Sequence, residues 1–162
     1  MWALRQTSKG FTIIEVLVVL VVLAILVLTS TVLYRGGQER ARFTAYRSDI
    51  TRINEAITLY NSENGRYPLG DGSSAAGCVT GTGGFIAGLQ PGYISKMPDV
   101  PNYNAGANYY SYCWNGSGAE YKLLRMVQSG TVPSVEQSTD VTRDPTLGWR
   151  GWGHWSPGGS AL

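Results

Sequence analysis

Three small sets of residues carry the chemistry open to this sequence. The first is Lys9-Gly10-Phe11 together with Glu15, at the entrance to an apolar run. Glu15 is the only charged residue between Phe11 and Leu33. An acidic residue near the centre of a membrane helix costs roughly 3 kcal/mol, and less toward an end. A carboxylate kept in such a place wants a cationic partner. The second set is Cys78 and Cys113, the only two cysteines. Two buried thiols or one disulfide would satisfy the sequence, and there is no CxxC to suggest redox work. The third is Trp149, Trp152 and Trp155, three residues apart with glycine between. Tryptophan is contact area at low entropic cost, so these side chains offer an adhesive or sugar-stacking surface, or else cover an edge or face of a sheet. The single histidine, His154, has no ligand-forming neighbours, and one His with two Cys falls short of a four-ligand structural zinc site. No Ser/His/Asp or paired-carboxylate set stands out. The glycine-rich span 65–90 contains neither GxxxxGK[ST] nor GxGxxG opening a helix after a strand, so it reads as surface loop. No catalysis, cofactor or metal is expected.

The elements that hold these residues belong to different solvents. Every residue from Val16 to Leu28 is apolar, and the run extends from Phe11 to Leu33. As a helix it is about 35 Å long, against a hydrocarbon core of about 30 Å. Being apolar on all faces, it has no side left for water, which argues against an ordinary core helix. No proline interrupts residues 11–63, and Gly36-Gly37 is the only weak spot, with the β-branched stretch from Thr29 before it. Beyond it, Phe43, Tyr46, Ile50, Ile53, Ile57 and Tyr60 recur at steps of three and four. That stripe predicts one buried helical face, packed under a C-terminal sheet. Asn64-Gly65 supplies the stop, and Pro68 follows. The whole reads as one helix of about 50 residues, or roughly 80 Å.

The remainder reads as a small antiparallel β domain. The tyrosine-rich stretch Asn108–Trp114 suits a strand, Asn115-Gly116-Ser117-Gly118 a hairpin turn, and Ala119–Val127 the partner strand. Phe85–Leu89 reads as a short helical turn. With 43% hydrophobic residues the 162-residue chain is too apolar for disorder, and a net charge of +2 is too small to indicate a polyanion binder.

Lys9-Gly10 followed by FTIIEVLVVLVVLAIL closely resembles the class III signal of type IV pilins and pseudopilins. The resemblance implies cleavage between Gly10 and Phe11 by a prepilin peptidase, N-methylation of the new Phe11 amine, and Glu15 as fifth residue of the mature chain. In a staggered pack of copies, Glu15 of one chain meets the Phe11 amine of the next. Each charge alone is costly in low dielectric, so the pair sets register. The implied fold is α+β, a long N-terminal helix on a small antiparallel sheet. The implied divisions are a leader, 1–10; a hydrophobic transmembrane or filament-core helix, 11–34; its amphipathic continuation, 35–64; and an exported globular domain, 65–162. Export to an oxidising compartment favours a Cys78–Cys113 disulfide. Many type IV pilins carry a helix-breaking proline where this chain has Val32, so melting at Val32 is not implied; Thr29–Gly37, weakened by β-branched residues and two glycines, is where any melting would fall.

The expected function is therefore a structural subunit of a type IV pilus, a homopolymer serving adhesion, motility or DNA uptake. The alternatives are a type II secretion or competence pseudopilin, and a membrane-anchored binding domain that never polymerises. The pilus stands first because the main secretion pseudopilins usually show Trp-Gly-x-Pro-Tyr, absent from 98–110, and an acidic calcium loop, which Asp140 and Asp144 alone do not make. The implied partners are other copies, the prepilin peptidase, the inner-membrane assembly machinery and, before assembly, the membrane; nothing in the residues supports DNA or a host surface. The implied location is a single-pass membrane protein with its C-terminal domain outside, then an extracellular filament. Arg35, Arg40, Arg42 and Arg47 follow the span while only Arg5 and Lys9 precede it, which by the positive-inside rule argues the other way. The cleavage motif is more specific and outweighs that count. Loss of Arg5 and Lys9 leaves 11 basic against 11 acidic side chains, a neutral subunit that stacks without mounting repulsion.

Overall fold

The computed structural model describes residues 10–71, 75–127, 142–147 and 151–162, with backbone only at 30–36 and 39. The chain divides into two compact units, one ending at Gln38 and one running from Glu39 to Leu162. A single helix, α1 (Ile13–Asn64), supplies residues to both.

In the first unit α1 begins where Thr12 Oγ1 accepts the Glu15 N–H at 3.3 Å. Thr12-x-x-Glu15 has the sequence form of a capping box, and this is one of its two bonds. The apolar side chains that follow face outward on every side: Leu20 is 60% exposed, and opposite faces fare alike from Ile13 to Leu28. Among the described residues no helix is long and apolar enough to cross a membrane. Thr29 Oγ1 donates to the carbonyls of Leu26 and Ile25, which keeps its hydroxyl on the helix's own backbone.

In the second unit the striped half of α1 turns Phe43, Ile50, Ile53 and Ile57 inward, none more than 3% exposed, with Tyr46 and Tyr60 packed beside them. Burying each such side chain is worth about 1.5–3 kcal/mol, which is what holds this half in place. The helix ends at Gly65, whose φ of +68° is the left-handed conformation a C-terminal cap needs; its N–H donates to Asn61 O at 2.8 Å. Opposite lies a four-stranded antiparallel sheet in chain order: β1 (Gly77–Gly81), β2 (Tyr109–Trp114), β3 (Tyr121–Met126) and β4 (Gly151–Trp155). The α+β arrangement is the one expected. Period-two alternation sends Tyr110, Tyr112 and Trp114 of β2 into the core.

Four details differ from the sequence reading. β1 lies inside the span expected to be loop, because the free edge of β2 offers it a ladder that local propensity would not predict. Phe85–Leu89 forms turns rather than a helix, yet Ile86 and Leu89 are buried as core. β3 starts at Tyr121 rather than Ala119, because Asn115 Oδ1 accepts the N–H groups of Ala119 (2.8 Å) and Glu120 (3.1 Å) and keeps them in the loop. The fourth difference is β4, which captures the second half of the tryptophan-rich stretch.

Candidate assembly and tethering sites

The described residues at the start of the first unit are exposed and lie at or before the first turn of the helix. Gly10, Phe11 and Thr12 precede the first turn of α1, so the Gly10–Phe11 bond is outside the helix. Gly10 is exposed, with no heavy atom within 4 Å of the position a Cβ would take, and Phe11 is 82% exposed. Glu15 is exposed in the first turn. Its carboxylate therefore sits at the positive end of the helix dipole, a placement worth about 0.3–1 kcal/mol. Thr12 escaped the sequence reading; the Thr-x-x-Glu spacing was the signal that could have found it.

Cys78 and Cys113 lie directly opposite each other in the β1–β2 ladder, with an Sγ–Sγ distance of 2.08 Å. Both side chains are on the face away from the aromatic core, Cys78 exposed and Cys113 half-buried. The bond ties an edge strand, rather than a loop, to its neighbour.

Of the two readings of the tryptophan stretch, surface contact or cover for the sheet, the structure supports cover at Trp152 and corrects the surface contact there. Trp152 is 2% exposed and meets Phe43 edge to face, ring centres 5.4 Å apart. Trp155 is half-buried, and Trp149 lies outside the described residues. The physical reason is strand geometry: on a period-two element, residues three apart face opposite sides, so Trp152 and Trp155 cannot form one platform. The glycines between them serve close approach. A Cβ at Gly153 would come within 1.7 Å of Leu123 O, so only glycine lets β4 pair with β3 at this point.

Two buried cations went unforeseen. Arg125, 1% exposed, donates to Tyr109 O (3.2 Å) and Asn108 Oδ1 (2.5 Å), and its guanidinium lies over the rings of Tyr46 (4.6 Å) and Tyr110 (5.3 Å). Burial drives its pKa down from the ordinary arginine value, against the pull of Tyr110, Tyr46 and Asp49. Lys122, 3% exposed, pairs with the fully buried Asp144, Nζ to Oδ2 2.8 Å. Burial works to raise the Asp144 pKa, but hydrogen bonds from Lys122, Thr146 and Leu147 outweigh it and hold the carboxyl below the usual range. His154 titrates below its ordinary value because it is half-buried and faces Arg47. Among the described residues no three His, Cys, Asp or Glu side chains gather as metal ligands. A calcium loop does not fit at Asp144, whose carboxylate is already engaged by donors.

The comparisons extend over most of the chain. A model of the prokaryotic N-terminal methylation motif matches residues 5–31. The chain is 31% identical to the type II secretion system core protein G of Aeromonas hydrophila over 84% of this chain and 86% of that protein. The protein of the same name from Vibrio cholerae is 31% identical over 84% of this chain and 91% of its own length. That from Klebsiella pneumoniae is 29% identical over 88% and 98%. No solved structure gives a significant match.

Proposed function

The chain belongs to the type II secretion system core protein G family, among the type IV pilins and pseudopilins, and from that premise we propose that it is the polymerising pseudopilin of a type II secretion apparatus. The observation that carries the reading is likeness along nearly the whole chain, globular part included, to proteins named for that system. It puts secretion ahead of the pilus that the missing Trp-Gly-x-Pro-Tyr stretch had favoured.

In this reading residues 1–10 are a leader removed by a prepilin peptidase at the exposed Gly10–Phe11 bond, and the Phe11 amine is then methylated. The run from Phe11 to about Leu33 anchors the precursor in the membrane and later lines the filament core, with residues 65–162 on the outer side. Glu15 of one copy pairs with the Phe11 amine of the next during polymerisation. The partners are copies of the same chain, the peptidase and the membrane-embedded assembly machinery. Adhesion and twitching have no support of their own.

The test is deletion of the gene in its own host, complemented with wild type or with Glu15→Val. The expected result is loss of secreted enzymes from the medium with surface pili intact, restored by wild type alone. The Glu15→Val chain should still start at Phe11 by mass spectrometry, yet form no filament when overproduced. Loss of surface pili with secretion unharmed would return the pilus reading to first place.

A further inference from the structure

Three separate stretches of the second unit converge on one ammonium group. Lys122 of β3 reaches Asp144 Oδ2 at 2.8 Å, in the 142–147 loop. Its Nζ also donates to the backbone oxygens of Ser160 and Leu162, each at 3.0 Å. An ammonium has three N–H donors, and here each has an oxygen. The second oxygen of Asp144 is equally occupied: it accepts the N–H groups of Thr146 (2.7 Å) and Leu147 (2.8 Å) and the Thr146 hydroxyl. The Asp144 carboxylate of the 142–147 loop and two backbone oxygens of the 159–162 segment thus surround a positive charge buried to 3% exposure.

That is the donor set of a cation site whose cation is part of the chain. Calcium takes six to eight oxygens at 2.3–2.6 Å. Among the described residues three supply oxygens at this place, and the lysine ammonium stands where the ion would be. A dication brought against Lys122 Nζ would be repelled and would find Asp144 already engaged, Oδ1 by hydrogen bonds and Oδ2 by the lysine ion pair.

We propose that Lys122 is a built-in substitute for a divalent cation: its ammonium organises the 142–147 loop and the 159–162 segment around β3, and the folded unit needs no calcium. A Lys-to-metal exchange of this kind alters what the protein depends on. A bound ion couples stability to its free concentration, whereas a side chain is always present. The inference concerns this unit's own side chains and holds whether or not the chain builds a secretion filament.

The experiment uses the full chain in detergent micelles. Wild type is melted with excess EGTA and with millimolar CaCl2, and calcium binding is followed by titration calorimetry. The two melting curves should superimpose, with no stoichiometric heat at micromolar calcium. In parallel, Lys122→Met, Asp144→Asn and the double variant are unfolded in urea. Each single change should lower the folding equilibrium constant about 100-fold or more, since it strands a buried partner, and the double should lose far less than their product. A melting point that falls in EGTA, tight stoichiometric calcium binding, or multiplicative losses in the double variant would each overturn the proposal. If Lys122→Met does not fold at all, the wild-type calcium measurements alone decide.

Discussion

Replacing both cysteines, Cys78→Ser with Cys113→Ser, removes a cross-link whose cost to the unfolded chain can be worked out. The two residues are 35 apart in sequence, and the chain-entropy relation for a loop of that size gives about 3.8 kcal/mol at 25 °C. The folded side should change little, because Cys78 and Cys113 face away from the aromatic core and the β1–β2 ladder does not depend on their sulfurs. For a unit of this size about 4 °C of melting temperature accompanies each kcal/mol, so the variant should melt roughly 15 °C lower. The assay is loss of the near-ultraviolet dichroism of the buried Trp114 and Trp152 on heating, comparing wild type, reduced wild type and the variant. Reduced wild type and the variant should agree, and exchange of the β1 amides should accelerate first, since this edge strand has one partner only. A drop below about 4 °C, or alkylation of both thiols in unreduced protein, would refute the reasoning.

Trp152→Ala should destabilise the second unit by about 3–5 kcal/mol, read from urea unfolding, because it empties the space against Phe43. Gly153→Ala should be at least as harmful although it adds a single methyl, because that methyl would meet Leu123 O and split β4 from β3; loss of slow exchange at the Trp152 and Arg125 amides would report it. His154 has a folded pKa below its ordinary 6.5, so the unfolded chain takes up its proton first as pH falls. Stability should therefore decline from pH 7 toward the folded pKa and level off below it, and His154→Gln should flatten that slope in pH-dependent urea midpoints. Tyr121, pushed up to about 12 chiefly by burial, resists ionisation in the folded unit, so stability should also fall as pH rises above 10, with Tyr121→Phe less sensitive in alkaline melts.

What the sequence made legible was what depends on near neighbours. The stripe from Phe43 to Tyr60 has helical spacing, and a helix can bury one stripe against whatever lies beneath it. The Lys9-Gly10-Phe11 and Glu15 spacing is likewise local. Lys122 and Arg125 were illegible for the opposite reason. In YKLLRM a charged residue reads as the solvent side of an alternating strand, but all six residues of β3 are buried, because distant segments cover the face that would meet water. β1 was hidden by its composition, since a stretch of Gly, Cys, Val and Thr becomes a strand only when β2 presents an open edge. The tryptophan spacing misled because a pattern of three suggests one surface on a helix and two surfaces on a strand.

The helix segment from Val16 to Leu28, apolar toward every direction, has an energetic consequence for any machine built from it. Hydrocarbon tails are as apolar as leucine, so the hydrophobic effect that would punish this segment in water is nearly indifferent between a lipid bath and a bundle of its own copies. The transfer from one to the other is close to level ground, tilted only by packing and by the electrostatics of its first turn. A level transfer can run both ways. A filament of such subunits could lengthen with a modest input of work and shorten again by returning subunits to the reservoir, as a reciprocating device requires and a permanent fibre does not.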